Sequence, residues 1–268
     1  MAGIYIHIPF CKQACNYCDF HFSTSMKMKT SFVNALLQEI ELRKGDLGEQ
    51  VLSSIYFGGG TPSLLSSSEL NSIFEKIKAC FIISSDAEIT LEANPDDLTF
   101  EKIEFLKQSP INRLSIGVQS FRDEDLRFMN RAHSADQALK SIKMCQEAGF
   151  NLSIDLIYGT PGMTNEAWKS NLSTCFNLDV PHVSSYALTV EENTALYYQI
   201  AKSKSTPVSS FTSSITSLTE KPFELPRLKQ FEFNFLLESF NEAKPLRCAS
   251  HKSFTCIKSL TQVPSLVL

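Results

Sequence analysis

The chain has 268 residues and a formal net charge of −4, with 43% hydrophobic and 20% charged residues. That balance describes an ordinary globular protein long enough for one sizeable α/β domain or a domain with an appendage, and its acid excess offers no basic field for nucleic acid. No apolar run approaches membrane-spanning length and the first residues lack the pattern of a signal peptide, so the expected compartment is the cytoplasm, where the eight cysteines stay reduced.

Residues 3–8 form a β-rich run that leads into a loop carrying Cys11, Cys15 and Cys18. Phe32, Leu36 and Ile40, spaced by four, mark one face of a first helix, closed by the charges and glycine of residues 39–48. Residues 54–57 read as a second strand, which empties into Gly58-Gly59-Gly60-Thr61-Pro62. Ser66-x-x-Glu69 is then a capping box, opening a helix with Leu70, Ile73, Phe74 and Ile77 on its inner face. A third strand over 88–93, a helix capped by Thr99 with Ile103 and Leu106 inward, and a fourth strand over 113–119 follow. A charged segment, 122–131, precedes a second capping box, Ser134-x-x-Gln137, whose helix carries Ala138, Ile142 and Cys145 and stops at Gly149. Residues 151–158 are a fifth strand. Thr164 can cap a helix with Trp168, Leu172, Cys175 and Phe176 inward, and a sixth strand over 182–190 leads to a last helix over 194–202.

Six strands alternating with helices predict a parallel sheet with right-handed crossovers. The alternation alone fits either a doubly wound sheet or a partial barrel. Both gather ligands at the carboxyl ends of the strands, and there the sequence places residues a core would not choose. They are the cysteines, the triple glycine with Thr61, Glu92 and Asn94, Gln119 and Ser120, Asp155 with Gly159-Thr160-Pro161-Gly162, and Ser184 to Tyr186. Glycines at 58–60 allow close backbone approach, and successive N–H groups there can cradle an anion, although a tight structural turn explains them equally well.

Three cysteines at C-x3-C-x2-C spacing let one loop surround a single inorganic centre, and thiolate sulfur favours iron–sulfur clusters, zinc or copper(I). A zinc-stabilised binding module, with His21 as fourth ligand, is one reading. The full string Tyr5-Ile-His7-Ile-Pro9-Phe10-Cys11-Lys-Gln-Ala-Cys15-Asn-Tyr17-Cys18-Asp19-Phe20 resembles the radical S-adenosylmethionine (SAM) superfamily. Within it the string looks like the branch of oxygen-independent coproporphyrinogen III dehydrogenases and HemW heme chaperones. The resemblance implies an open (β/α)6 barrel of the radical SAM type, followed by an irregular tail. It further implies a [4Fe-4S] cluster on Cys11, Cys15 and Cys18, whose open iron chelates SAM. Tyr5, Tyr17, Gly59, Gly60, Thr61, Glu92, Gln119, Arg131 and Asp155 are the positions it assigns to cofactor binding. Asp155 also stands out on physical grounds, since a carboxylate flanked by Ile154, Leu156 and Ile157 needs a partner, which ligand hydroxyls or Arg131 could supply. His7 reads as a satisfied strand histidine.

The implied chemistry belongs to the cofactor: an electron delivered by a reductant protein cleaves SAM to a 5'-deoxyadenosyl radical. Two departures separate the branches. The dehydrogenases carry a further cysteine where this chain has Phe20, and a segment ahead of the signature. Both point to the HemW-like side, which implies heme binding and delivery to apo-hemoproteins without coproporphyrinogen oxidation. The coproporphyrinogen dehydrogenase remains the alternative enzyme. A third departure concerns the end of the chain. All ten glycines lie at or before Gly162, and ten of the fifteen residues 203–217 are Ser or Thr. The family's His-Asn-x-x-Tyr-Trp motif is absent, the only tryptophan being Trp168. The expected division is therefore a radical SAM core over 1–206 and a low-complexity or non-family tail over 207–268, truncated or out of frame, with a short amphipathic helix over 231–240.

Overall fold

The structure, a computed structural model, describes residues 2–202 together with 230–234 and 265–267. Six strands, β1 (Ala2–Ile8), β2 (Leu52–Gly59), β3 (Ile83–Ala93), β4 (Arg113–Gln119), β5 (Asn151–Tyr158) and β6 (His182–Ala187), lie side by side in chain order and pair in parallel. The helices between them are α1 (Lys29–Leu42), α2 (Ser67–Cys80), α3 (Phe100–Lys107), α4 (Asp123–Phe128), α5 (Ala135–Glu147) and α6 (Asn165–Asn177), with α7 (Ala195–Lys202) after β6. A doubly wound sheet reverses direction at a switch point, whereas here spatial order follows sequence order from β1 to β6. That monotonic winding selects the open, partial (β/α)6 barrel.

The helix signals read from sequence correspond to bonds. Ser66 and Glu69 form a reciprocal capping box at the start of α2, and Ser134 and Gln137 do the same for α5. Thr99 and Thr164 cap α3 and α6 through their hydroxyls. One apolar core lies between strands and helices, with Ile4, Ile6, Ile8, Phe57 and Leu91 facing Leu36, Ile40, Phe74 and Ile77. Burying each such side chain contributes about 1.5–3 kcal/mol.

Four expectations need correction. The segment 122–131 contains the helix α4; three acidic residues in its first turn favour a helix N-terminus, but six residues are too few to display a period. The sixth strand ends at Ala187, short of residue 190. The sheet has eight strands, because β7 (Gln230–Asn234) pairs with β6 and β8 (Ser265–Val267) pairs with β1, both in parallel. Residues 231–234 are thus strand and not helix, in keeping with the period-two alternation of Phe231, Glu232 and Phe233; residues 235–240 lie outside the described residues, as does the expected tail apart from 230–234 and 265–267.

Candidate cofactor site at the carboxyl rim of the sheet

The loop after β1 presents Cys11, Cys15 and Cys18 as free, half-buried thiols. A closed line of hydrogen bonds joins two of them across the rim. Thr61 Oγ1 donates to Cys11 Sγ at 3.4 Å and accepts from Asn94 Nδ2 at 3.3 Å, while Arg131 donates to Asn94 Oδ1 at 2.6 Å and to Cys15 Sγ at 3.3 Å. Arg131 also donates to Gly117 O at 2.7 Å. Burial works against its charge, but Tyr17, Cys15 and Asp96 nearby more than restore it. Burial pushes the Cys18 thiol up to about 11, and Cys15 and Cys11 beside it add to the rise. Metal binding would therefore have to displace protons.

Among the described residues no group of three or more His, Cys, Asp or Glu converges on one metal position. Three free thiols on one short loop can each bond a separate iron of a cubane, so the chemistry of the donor set fits the cluster.

Beside the loop, Tyr5 stacks on Tyr56 with ring centroids 5.9 Å apart. Tyr56 donates its hydroxyl to Glu92 Oε1 at 2.8 Å, and Gly59 N–H donates to Glu92 Oε2 at 3.0 Å. Gly60 N–H reaches Ile8 O at 2.9 Å. Gly59 and Gly60 thus both have partners for their N–H groups within the protein. Their lack of side chains has a direct cause: a Cβ on Gly59, where φ is +110, would sit 2.5 Å from the His7 ring, and one on Gly60 would sit 2.7 Å from Phe10 O. His7 also meets His21 O through Nε2 at 3.4 Å, consistent with a satisfied strand histidine.

Burial pushes Glu92 up to about 7, opposed by the Tyr56 hydroxyl and reinforced by Asp155. Asp155 is pushed up to about 6 by burial, against Arg113, the Ser115 hydroxyl and Arg131. Of the two partners open to it, ligand hydroxyls or Arg131, the latter acts on Asp155 only at range, because the guanidinium spends its bonds on Asn94, Gly117 and Cys15. Gln119 adopts φ +67 where β4 breaks register with β5, and its amide lies with Arg131 against Gly117. Such a left-handed non-glycine at a rim marks a constrained site. Tyr17 packs on a small separate cluster of Leu126, Met129 and Ile157 beneath the cysteine loop.

Of the predicted site residues, the structure joins Cys11, Thr61, Arg131 and Cys15 through Asn94 and joins Gly59 with Glu92, while Tyr5 and Asp155 lie within β1 and β5. Sequence reasoning did not assign Asn94, Tyr56 or Lys12. Lys12 forms an ion pair with Asp96 at 2.9 Å and another with Asp97, tying the cysteine loop to the end of β3. A polar residue at the end of β3 was the signal for Asn94; Tyr56, within β2, and Lys12, in the loop, carried none.

The radical SAM superfamily profile matches residues 5–174. The heme chaperone HemW of Bacillus subtilis (strain 168) is 39% identical over 207 residues, 76% of this chain and 55% of that protein, so the chain spans about half of its length. HemW of Buchnera aphidicola subsp. Acyrthosiphon pisum (strain APS) is 31% identical over 267 residues, covering 94% of this chain and 70% of that protein; the alignment extends past residue 206. Among solved structures, the Escherichia coli coproporphyrinogen III oxidase HemN, described as a radical SAM enzyme, superposes with TM-score 0.72 at 28% identity over 81% of this chain and 51% of its own. Profile, sequence relatives and superposition agree with the rim geometry: the chain belongs to the radical SAM superfamily, in the HemW group.

Proposed function

We propose that this chain holds a [4Fe-4S] cluster on Cys11, Cys15 and Cys18, binds SAM beside it, and serves in heme binding and delivery to apo-hemoproteins in the cytoplasm. The observation that carries the first part is the line of bonds from Cys11 through Thr61, Asn94 and Arg131 to Cys15, which fixes two thiols at the end of the sheet where parallel α/β folds bind ligands. When bound and reduced by a partner protein, the cluster supplies the electron that opens the SAM sulfonium. The chain's own residues have other tasks. Tyr5, Tyr17, Gly59, Gly60, Thr61, Glu92, Gln119, Arg131 and Asp155 hold and orient SAM, with Glu92 and Asp155 as acceptors for its donor groups. In this reading residues 1–206 contain the whole cofactor site, and the tail over 207–268 contributes edge strands to the sheet.

Heme handling is supported by the HemW relatives. The alternative, coproporphyrinogen III oxidation, is supported by the superposition on HemN. Phe20, in place of a further cysteine, weighs against it. Anaerobic purification followed by iron, sulfide and heme titration tests the first reading. Stoichiometric heme binding without porphyrinogen turnover supports it, and turnover of coproporphyrinogen III overturns it in favour of the second.

A further inference from the structure

Helix α4 is followed by Met129, and the chain then turns through Asn130, which has φ +55 and bonds its N–H to Arg127 O at 3.1 Å. From that turn the Asn130 side chain grips the cysteine loop in both directions. Its Nδ2 donates to Ala14 O at 2.8 Å, and its Oδ1 accepts from Gln13 Nε2 at 2.8 Å; the same Gln13 nitrogen meets Asn130 O at 2.9 Å. The two preceding residues continue the grip, Met129 O accepting from Asn16 N–H at 3.1 Å and Phe128 O from Asn16 Nδ2 at 2.7 Å. The following residue is Arg131, bonded to Cys15 Sγ.

We propose that Asn130 is a positioning residue for the cysteine loop, holding residues 13–16 in their cluster-binding shape before iron arrives. This rests on the cluster reading above. A loop that presents three thiols loses conformational freedom on metal binding, and ordering it beforehand raises affinity by reducing that loss. Asparagine suits the position twice over. It tolerates the left-handed backbone better than other residues with a side chain, and its amide offers a donor and an acceptor together. Glycine supplies only the first property. Aspartate keeps the acceptor for Gln13 and loses the donor to Ala14.

The test uses the full chain, reconstituted anaerobically, and follows iron release to excess chelator through loss of the visible absorbance. Asn130→Gly keeps the turn and removes both side-chain bonds; release is expected about tenfold faster, with the apo unfolding midpoint unchanged. Asn130→Asp, whose second carboxylate oxygen would face Ala14 O acceptor to acceptor, should also release iron faster than wild type. Gln13→Leu, which removes the loop's half of the contact, should speed release roughly threefold and keeps the test open should Asn130→Gly fold poorly. Wild-type release from Asn130→Gly and Gln13→Leu, beside a normal wild-type cluster, overturns the inference alone. A wild-type chain that assembles no four-iron cluster overturns the cluster reading and this inference with it.

Discussion

Strand β1 sets Ile4, Ile6 and Ile8 against the helices and Tyr5 and His7 on the opposite face; β2 to β5 repeat the division, with Phe57 against Tyr56, Leu91 against Glu92, and Ile154 and Leu156 against Asp155. Parallel sheets are usually apolar on both faces. Here one face is a close-packed core, and the other carries hydroxyls, carboxylates and guanidinium groups, some of them shifted far from their ordinary protonation. The same strands thus hold stability and chemistry one residue apart, and a substitution should affect one or the other according to its parity.

The sharpest way to break that comparison is at the rim. Cys18→Ser should lose most bound iron, while Cys145→Ala and Cys175→Ala, on helix faces in the core, should leave iron content unchanged; iron and sulfide analysis of the three variants decides it. Next comes the helix-facing side. Phe57→Ala removes a fully buried ring packed edge-on against Phe74 and should cost about 3–5 kcal/mol in denaturant unfolding, without changing iron per folded molecule.

A smaller effect concerns the two carboxylates of the inner face. Glu92 and Asp155 bind protons more tightly when folded, with values of about 7 and about 6. Their contribution is therefore fully present below about pH 4 and is lost as pH rises towards 7. The apo protein should lose stability over that interval, and Glu92→Gln should flatten the slope; urea midpoints measured from pH 4.5 to 7.5 check both. A flat profile for the unsubstituted chain would show that the inner face is as well solvated as an open surface. The smallest change is Ser66→Ala at the α2 cap, worth about 1 kcal/mol and without consequence for the rim, read from the thermal midpoint.

Much of this was legible in the sequence, for reasons that are local. Capping boxes at Ser66 and Ser134 are four-residue statements, and the bounds of β4 and β5 follow from apolar runs flanked by turn residues. The spacing of the three cysteines announces a thiolate centre, and the string around them narrows it to a cluster. What stayed hidden depends on contacts between distant residues. Asn94 looks like any polar residue at a strand end until Arg131 and Thr61 are placed on either side of it. Gly59 and Gly60 read as backbone open to a ligand, and only the folded chain shows that the His7 ring and Phe10 also leave no space for a Cβ there. Helix α4 was missed because six residues carry no period, and β7 because Phe231 and Phe233 lie beside a run of residues that also fits a helix.

The winding of the sheet has a consequence for how the molecule is made. Because neighbours in space are neighbours in sequence, each strand from β1 to β6 can pair as soon as the next βα unit leaves the ribosome, and the loops to be closed stay short. The cysteine loop is the exception. It emerges among the first twenty residues, yet its bonds to Asn130 and Arg131 span 116 positions, and Asn16 O waits for the N–H of Leu196 in α7. During synthesis the loop must therefore stay unclasped, with its thiols unprotected, until nearly the whole barrel has been translated, so cluster loading belongs at the end of folding and not at its start.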